Sequence, residues 1–408
     1  MRTRNKWWWA VAAVLAALCG FAWQWDYAGP ILSLALIPLV LVQRYRLSRF
    51  AVALAYYLAG SSGIPLASAV FFGPGHAGGS GHWLEGVALW VSSSVLLAFG
   101  WAFVDRPWKA AGVLLFDALV PPLAVFDWLS PLSAAGVLFP DCGLIGVVLM
   151  LGLLSLLPVL LSAASMARNR AYPFLLLLIP LLANGLYLSF PGHHDKGIQG
   201  INLHLGPSTH SILANFQRLQ AWVSVADQHG QAKVLLLPET LLTWWPGNAH
   251  YIEQHVPDGQ TWLVGASVPL KKGLFADGIE AVTGRGSKMI FASVLPVPVS
   301  MWRPWHTPTG DSFGLNNYKA FWWQKPVTLP GATLPGATLD GKTVWAEICY
   351  DQLLPFSWME AALYRPNIIL LTNNVWWAKG TGIPRIQKAS AWAWARLAGS
   401  TDIEAENS

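Results

Sequence analysis

Charge is scarce in this sequence. Only 12% of its 408 residues are Asp, Glu, Lys or Arg, about half of what a soluble globular chain carries. The deficit sits almost wholly before residue 190 and argues against a purely soluble protein. Cysteine is scarce too. Cys19, Cys142 and Cys349 are the three in the chain, far apart in sequence, which excludes a disulfide framework and a zinc site built on closely spaced thiols. No basic run interleaved with aromatics points to direct nucleic-acid binding, and no cofactor motif is present.

Long apolar runs fill the space that charge leaves, and the mean hydropathy is +0.42. Stretches at about 7–24, 28–43, 50–72, 84–104, 110–126, 143–164 and 172–190 read as seven membrane spans, most near the roughly 20 residues that a crossing helix needs. Further spans follow the first at once, so a cleaved signal peptide is not the reading. Lys and Arg before residue 190 lie only at the N-terminus or in even-numbered connections. The connections 25–27, 73–83 and 127–142 hold none. By the positive-inside rule the N-terminus is inside and the chain after 190 outside, which in a Gram-negative cell is the periplasm. The net charge of +5 is mostly a product of that asymmetry. Glu85, Asp117 and Asn184 are the polar exceptions within spans. They are too few and too scattered for a transporter. Asp117 reads as a contact inside the bundle.

After residue 190 the pattern becomes α/β. The sequence predicts strands at 198–204, 233–237, 261–268, 343–348 and 367–371, a hairpin over 277–283 and 287–295, a helix capped by Ser208 and ending near His229, and a helix over 384–398. Residues 310–340 read as a loop with a local echo, Leu-Pro-Gly-Ala-Thr-Leu at 329–334 and Pro-Gly-Ala-Thr-Leu at 335–339. Two strand ends carry reactive groups. Leu-Leu-Leu-Pro-Glu ends on Glu239, and Glu-Ile-Cys-Tyr-Asp spans Glu347 to Asp351. A thiol becomes an acyl acceptor when a base takes its proton. Cys349 fits the nucleophile. Glu239, desolvated behind an apolar strand, fits the base. Asp351 fits a residue that orients the turn. Read alone, a lone thiol is more often a buried inert one, and a Pro-Glu pair a solvated loop.

Leu-Leu-Leu-Pro-Glu-Thr, Cys-Tyr-Asp, Leu-Thr-Asn-Asn-Val-Trp-Trp and the helical Gln387 to Leu397, in that order, resemble the nitrilase (carbon–nitrogen hydrolase) superfamily. With seven spans ahead, the whole resembles apolipoprotein N-acyltransferase. Leu295 to Trp305 is similar to conjugal-transfer proteins of Ti-type plasmids, themselves similar to that acyltransferase. The resemblance implies a polytopic helical bundle over 1–190 followed by an αββα sandwich over 191–398; residues 399–408 depart from the family pattern and are polar, so they read as a disordered tail and the sandwich as short of its closing strands. It implies a Glu-Lys-Cys triad, a phospholipid acyl donor, an amine acceptor, no cofactor, and partners in the conjugation machinery. Glu239 and Cys349 match the motif. The lysine position falls on Phe291 or Ser293, so Lys288 is the nearest substitute, with Lys319 and Lys325 as loop alternatives. The family's second glutamate is also missing, and Ser300 lies close to its place. The competing expectation is a non-catalytic membrane component of the transfer machinery. Tryptophan is abundant at 24 residues. The pairs Trp244-Trp245, Trp322-Trp323 and Trp376-Trp377 suit either a membrane–water boundary or interface packing.

Overall fold

The computed structural model describes residues 7–72, 82–166, 172–189, 197–207, 211–304, 317–328 and 342–408. Ser208, Trp305 and the echoed segment 329–339 lie outside these. The first part is helical, with α1 (Trp8–Phe21), α2 (Ala28–Ser33), α3 (Leu36–Leu41), α4 (Arg46–Gly60), α5 (Ile64–Phe71), α6 (His82–Trp101), α7 (Pro107–Leu119), α8 (Leu123–Phe126), α9 (Ala134–Leu138), α10 (Leu144–Met166) and α11 (Tyr172–Ser189). Several expected spans are interrupted. The stretch 50–72 is two helices, α4 and α5, bent by 41° across Ser61 to Gly63. The stretch 110–126 stops at Pro121-Pro122, where the missing N–H groups end α7, and restarts as α8.

Among the described residues, Trp83–Trp101 is long and apolar enough to cross a membrane alone, and α4 with α5 passes the same test as a bent pair. Trp8–Gln24, Ala28–Leu41, Leu144–Leu156 and Leu178–Ser189 are shorter apolar helices. Many of their large side chains point outward, including Val14 at 62%, Phe99 at 62%, Val148 at 68% and Leu182 at 66% exposure. Inside, the Trp23 indole donates to Tyr56 Oη at 2.8 Å, and that hydroxyl donates to the Leu129 carbonyl at 2.8 Å. Asp117 is buried, and one of its carboxyl oxygens lacks a hydrogen-bond partner. It lines a cavity of about 490 Å³ between α6 and α7, among Phe99, Phe103, Trp108 and Phe116. Asn184 donates to the Val137 and Leu138 carbonyls. Glu85 is exposed in the first turn of α6.

The second part holds two sheets. The first is β1 (Ile198–Gly200), β2 (Val234–Leu236), β3 (Thr261–Pro269), β4 (Phe275–Thr283) and β5 (Gly286–Ala292), hydrogen-bonded in that order. Its first three strands are parallel and the rest antiparallel. The second is β6 (Val327–Thr328), β7 (Thr343–Ile348), β8 (Ile368–Asn374) and β9 (Thr401–Asn407), with β7, β8 and β9 parallel. The helices are α12 (Ile212–Asp227), α13 (Ala249–Glu253), α14 (Pro355–Tyr364) and α15 (Ile383–Ala398). Ser211, three residues beyond the expected cap, takes the Ala214 N–H and starts α12.

Alternation along the strands sorts the core into layers. Leu236, Leu263, Ile279 and Phe291 of the first sheet meet Val344, Ala346, Ile368 and Leu370 of the second. Leu235, Trp262 and Val264 face the other way, onto Leu219, Trp222 and Val223 of α12. Trp345, Ile369 and Leu371 pack with Trp358 of α14 and Trp394 of α15, in one core with the first-part helices. The order of layers is helix, sheet, sheet, helix, and the last helical layer rests on the helical part.

Residues 399–408 are not a disordered tail. Thr401 to Asn407 pairs along its whole length with Ile368 to Asn374. The polar sequence misleads because every second residue turns inward. Ala405 and Asn407 are buried, while Lys388 on α15 bridges Glu404 at 3.2 Å and Glu406 at 3.4 Å. The strand also clasps the first sheet, since the Leu203 N–H donates to the Glu406 carbonyl at 2.8 Å and Ser408 N–H to the Leu203 carbonyl at 3.0 Å. Here β1 and β9 approach so closely that a Cβ on Gly200 would lie 1.8 Å from the Glu404 carbonyl oxygen. Gly200→Ala should therefore force the two sheets apart and cost about 1–3 kcal/mol, the usual range for overpacking. Thermal unfolding of the detergent-solubilised protein checks this, and an unchanged midpoint would contradict the clasp.

Candidate active site

Cys349 ends β7 and opens a short 3-10 turn, Cys349–Leu353, at a backbone φ of +46°. That left-handed conformation is costly for a residue with a Cβ and persists only when its surroundings fix it. Three ties do so. Gln387 of α15 donates to the Cys349 carbonyl at 3.1 Å. Asp351 accepts the Ser293 hydroxyl at 3.0 Å and the N–H groups of Val294 and Leu295 at 3.0 and 2.9 Å. Gln352 donates to the Glu347 carbonyl at 3.0 Å and the Asn373 side chain at 2.9 Å. Asp351 thus joins the segment after β5 to the cysteine turn, which gives its orienting role a physical form.

Glu239 follows β2 on the facing sheet. Its turn lies directly on β3, because Gly265 has no Cβ; one would sit 2.6 Å from the Glu239 Cα. The Asn374 N–H donates to Glu239 Oε2 at 3.0 Å. Glu239 is among the charges that act on the Cys349 thiol across the gap between the sheets. Both side chains are buried, at 3% and 4% exposure.

Lys288 is elsewhere. It lies on β5 opposite Ala281, exposed. The strand does carry a register shift between Ile279 and Glu280, the bulge that can re-aim a side chain. The difficulty is length. Five residues separate Lys288 from Ser293, about 17 Å at some 3.3 Å per residue. Lys319 and Lys325 are also exposed, and the Lys319 ammonium sits over the Phe321 ring at 4.6 Å. Ser300 bonds its own turn at the Val297 carbonyl.

Asp277 of β4 stands in the cluster instead. Its carboxyl accepts the hydroxyl of Thr240, the residue after Glu239, at 3.0 Å, and its charge acts on Glu239. Ser293 N–H donates to its carbonyl at 2.8 Å. The sequence offered one signal for it, an acid two residues before the inward Ile279 on the same strand face, but nothing linked that acid to Glu239. The charges acting most strongly on Cys349 are Glu239, Asp277 and Asp351, all acidic. Burial and these neighbours push the thiol well above its usual range. Burial and the Asp277 charge push Glu239 well up. The site therefore disfavours a stored thiolate. Among the described residues, no group of three or more His, Cys, Asp and Glu is arranged to hold a metal ion.

Two curated relatives match this chain over nearly its full length. One is the probable conjugal transfer protein TraB of Sinorhizobium fredii, 28% identical over 401 residues, covering 95% of this chain and 94% of the relative. The other is the conjugal transfer protein TraB of Agrobacterium fabrum, 27% identical over 428 residues, covering 99% and 94%. No family model matches the sequence.

The buried acids also set a pH dependence. Burial holds Asp277 up to about 6, and holds Asp351 up to about 7 against the three hydrogen bonds that favour its charge. In an unfolded chain both would titrate near 4. The folded state binds more protons between those values, so its stability is greatest at low pH and falls as pH rises from about 4 through about 7. Unfolding midpoints at the two ends of that window check this. A midpoint that climbs with pH would be the contrary result.

Proposed function

We propose that this chain is a multi-pass inner-membrane component of a conjugal transfer system, with a nitrilase-like outer domain that carries an acyl group on Cys349. The carrying observation is the burial together of Cys349, held at φ +46° just past a strand end, and Glu239, whose charge acts on the thiol. A strained thiol against a desolvated carboxyl is the arrangement that acyl transfer through a thioester requires. The relatives' names support the conjugation role. The placement of Lys and Arg before residue 190 and the outward apolar side chains of the helices support the membrane reading and an outer domain in the periplasm.

In this reading the Cys349 sulfur attacks the ester carbonyl of a phospholipid as its proton leaves for Glu239. The tetrahedral oxyanion collapses, the lipid alcohol departs with that proton, and a thioester remains. An amine then attacks the thioester, Glu239 takes its proton, and Cys349 regains it as the amide leaves. Tyr350, next to the nucleophile, donates to the Val125 carbonyl of α8 and receives the Trp128 indole N–H. The reacting turn is thereby seated on the helical part, where a lipid acyl group would arrive.

A second reading is favoured by one observation. Among the described residues no lysine is placed with Cys349 and Glu239, so the positive donor of a Glu-Lys-Cys triad is not at hand for the oxyanion. In that reading the chain is a non-catalytic component that keeps the sandwich and its contacts.

Intact-mass measurement after incubation with phospholipid separates the two. An acyl adduct on the native chain, cleaved by hydroxylamine and lost in Cys349→Ala while membrane insertion is kept, supports the enzyme. No adduct on the native chain supports the second reading, and an adduct surviving in Cys349→Ala removes the nucleophile. The topology has its own check. A reporter fused after residue 200 should be active only outside the cytoplasm, and cytoplasmic activity would invert the orientation.

A further inference from the structure

The cavity of about 490 Å³ between α6 and α7 has no part in the acyl chemistry. Its size is that of a small-molecule site, and helix bundles form such sites between neighbouring helices. Its walls are apolar and aromatic, with Phe99 on α6, Phe103 just beyond it, and Trp108 and Phe116 on α7. Phe99 and Phe116 face outward, so the cavity opens on the outer surface of the bundle. Asp117 supplies the carboxyl of this lining and is 2% exposed. The lack of a side chain at Gly100 makes its room. A Cβ there would lie 3.2 Å from Val113 Cγ1 and 4.0 Å from Asp117 Oδ1, so the carboxyl looks toward α6.

Asp117 Oδ2 is buried with no hydrogen-bond partner. Among the described residues no ion pair reaches Asp117. Lys109, the cation of the lining, stands eight residues back along α7, about 12 Å at 1.5 Å per residue. It is already paired with Asp105 at 2.7 Å. A carboxyl enclosed by apolar groups without a counter-charge or a full set of hydrogen bonds is costly, and within a membrane it marks a site by default. The rings give the sign of the group that would relieve it, because aromatic faces attract cations. Arg46 lies over Phe103 at 5.2 Å and Lys109 over Trp108 at 5.8 Å, which leaves Phe99 and Phe116 beside the carboxyl. An anion would be repelled by a charged Asp117, and a bare alkyl chain would leave Oδ2 unpaired. A primary ammonium brings both the charge and three N–H donors.

We infer that this cavity binds a lipophilic primary ammonium compound, with the ammonium on Asp117 and the carbon chain along the aromatic walls. The inference goes beyond the acyl-transfer reading and does not rest on it. It uses the membrane reading only for the side from which such a compound arrives.

The test needs neither an acyl donor nor Cys349. Full-length protein in phosphatidylcholine nanodiscs is photolabelled with dodecylamine carrying a diazirine on its chain, and labelled peptides are mapped by mass. The label removed by excess dodecylamine should fall on the cavity-lining parts of α6 and α7. Dodecanol and dodecanoate should compete only at concentrations about tenfold higher or more. Asp117→Asn keeps the shape and removes the charge, and should lower this labelling by about tenfold or more; Asp117→Glu should restore it. Should Asp117→Asn fail to accumulate, Gly112→Leu is read in its place with the same expected loss. Gly112 lines the cavity, and a Cβ there meets nothing within 4 Å, so the added side chain would occupy the open space. If neither accumulates, the order of competition on the native chain decides. Dodecanol or dodecanoate competing as well as the amine overturns the ammonium. Labelling that falls elsewhere overturns the cavity, and labelling unchanged in a folded Asp117→Asn or Gly112→Leu protein overturns the inference as a whole.

Discussion

Enclosure of a thiol and two carboxyls between the sheets is the constraint on which the rest of the site depends. Desolvation disfavours every charged form there, so Cys349, Glu239 and Asp277 are all held toward their protonated states. The three side chains come from β4 and from the turns after β7 and β2, so the alignment of the sheets sets how they meet. The clasp of β1 against β9 and the Asp351 hydrogen bonds to Ser293, Val294 and Leu295 hold that alignment.

The helical part is more than an anchor for this domain. Its core is continuous with the outer face of the second sheet through Trp358 and Trp394. Arg396 of α15 reaches Asn184 of α11 at 3.1 Å and lies over the Tyr187 ring at 4.7 Å. Asn184, a polar exception in an expected span, is thereby explained as a tie between the two parts. The same α15 gives Gln387 to the Cys349 carbonyl and Lys388 to β9. One helix therefore touches the bundle, the reactive turn and the closing strand. Of the tryptophan pairs, Trp376-Trp377 meets Phe71 of α5, Trp376 stacking at 6.1 Å, which is interface packing. Trp244, Trp322 and Trp323 stay exposed on the two-sheet part.

Much of this was legible because it is local. Thr343 to Ile348 is an apolar run ending at a thiol, and the strand was found with both its bounds. The hairpin, β3, and the helix ending before Gly399 carried alternation, periodicity and a left-handed cap. What escaped depends on partners distant in the chain. The tail reads as polar because Glu404 and Glu406 look solvated until Lys388 is brought beside them. Asp277 reads as the first residue of a strand until β3 lays it against the Glu239 turn. Lys288 was proposed by counting along one strand, and it stands exposed there opposite Ala281, a placement that motif order does not carry.

A left-handed cysteine sharpens the consequence of these ties. The strain at Cys349 favours release of the turn, and each hydrogen bond from Gln387, Ser293, Val294 and Leu295 opposes that release. If the turn relaxed, the sulfur would leave Glu239. The same set of contacts therefore decides both whether the strand end keeps its shape and whether the thiol and the carboxyl stay together. Separating the two requires a change that alters charge and leaves the ties alone. Asp277 offers that change, since its carboxyl accepts the Thr240 hydroxyl while the turn is held by other residues.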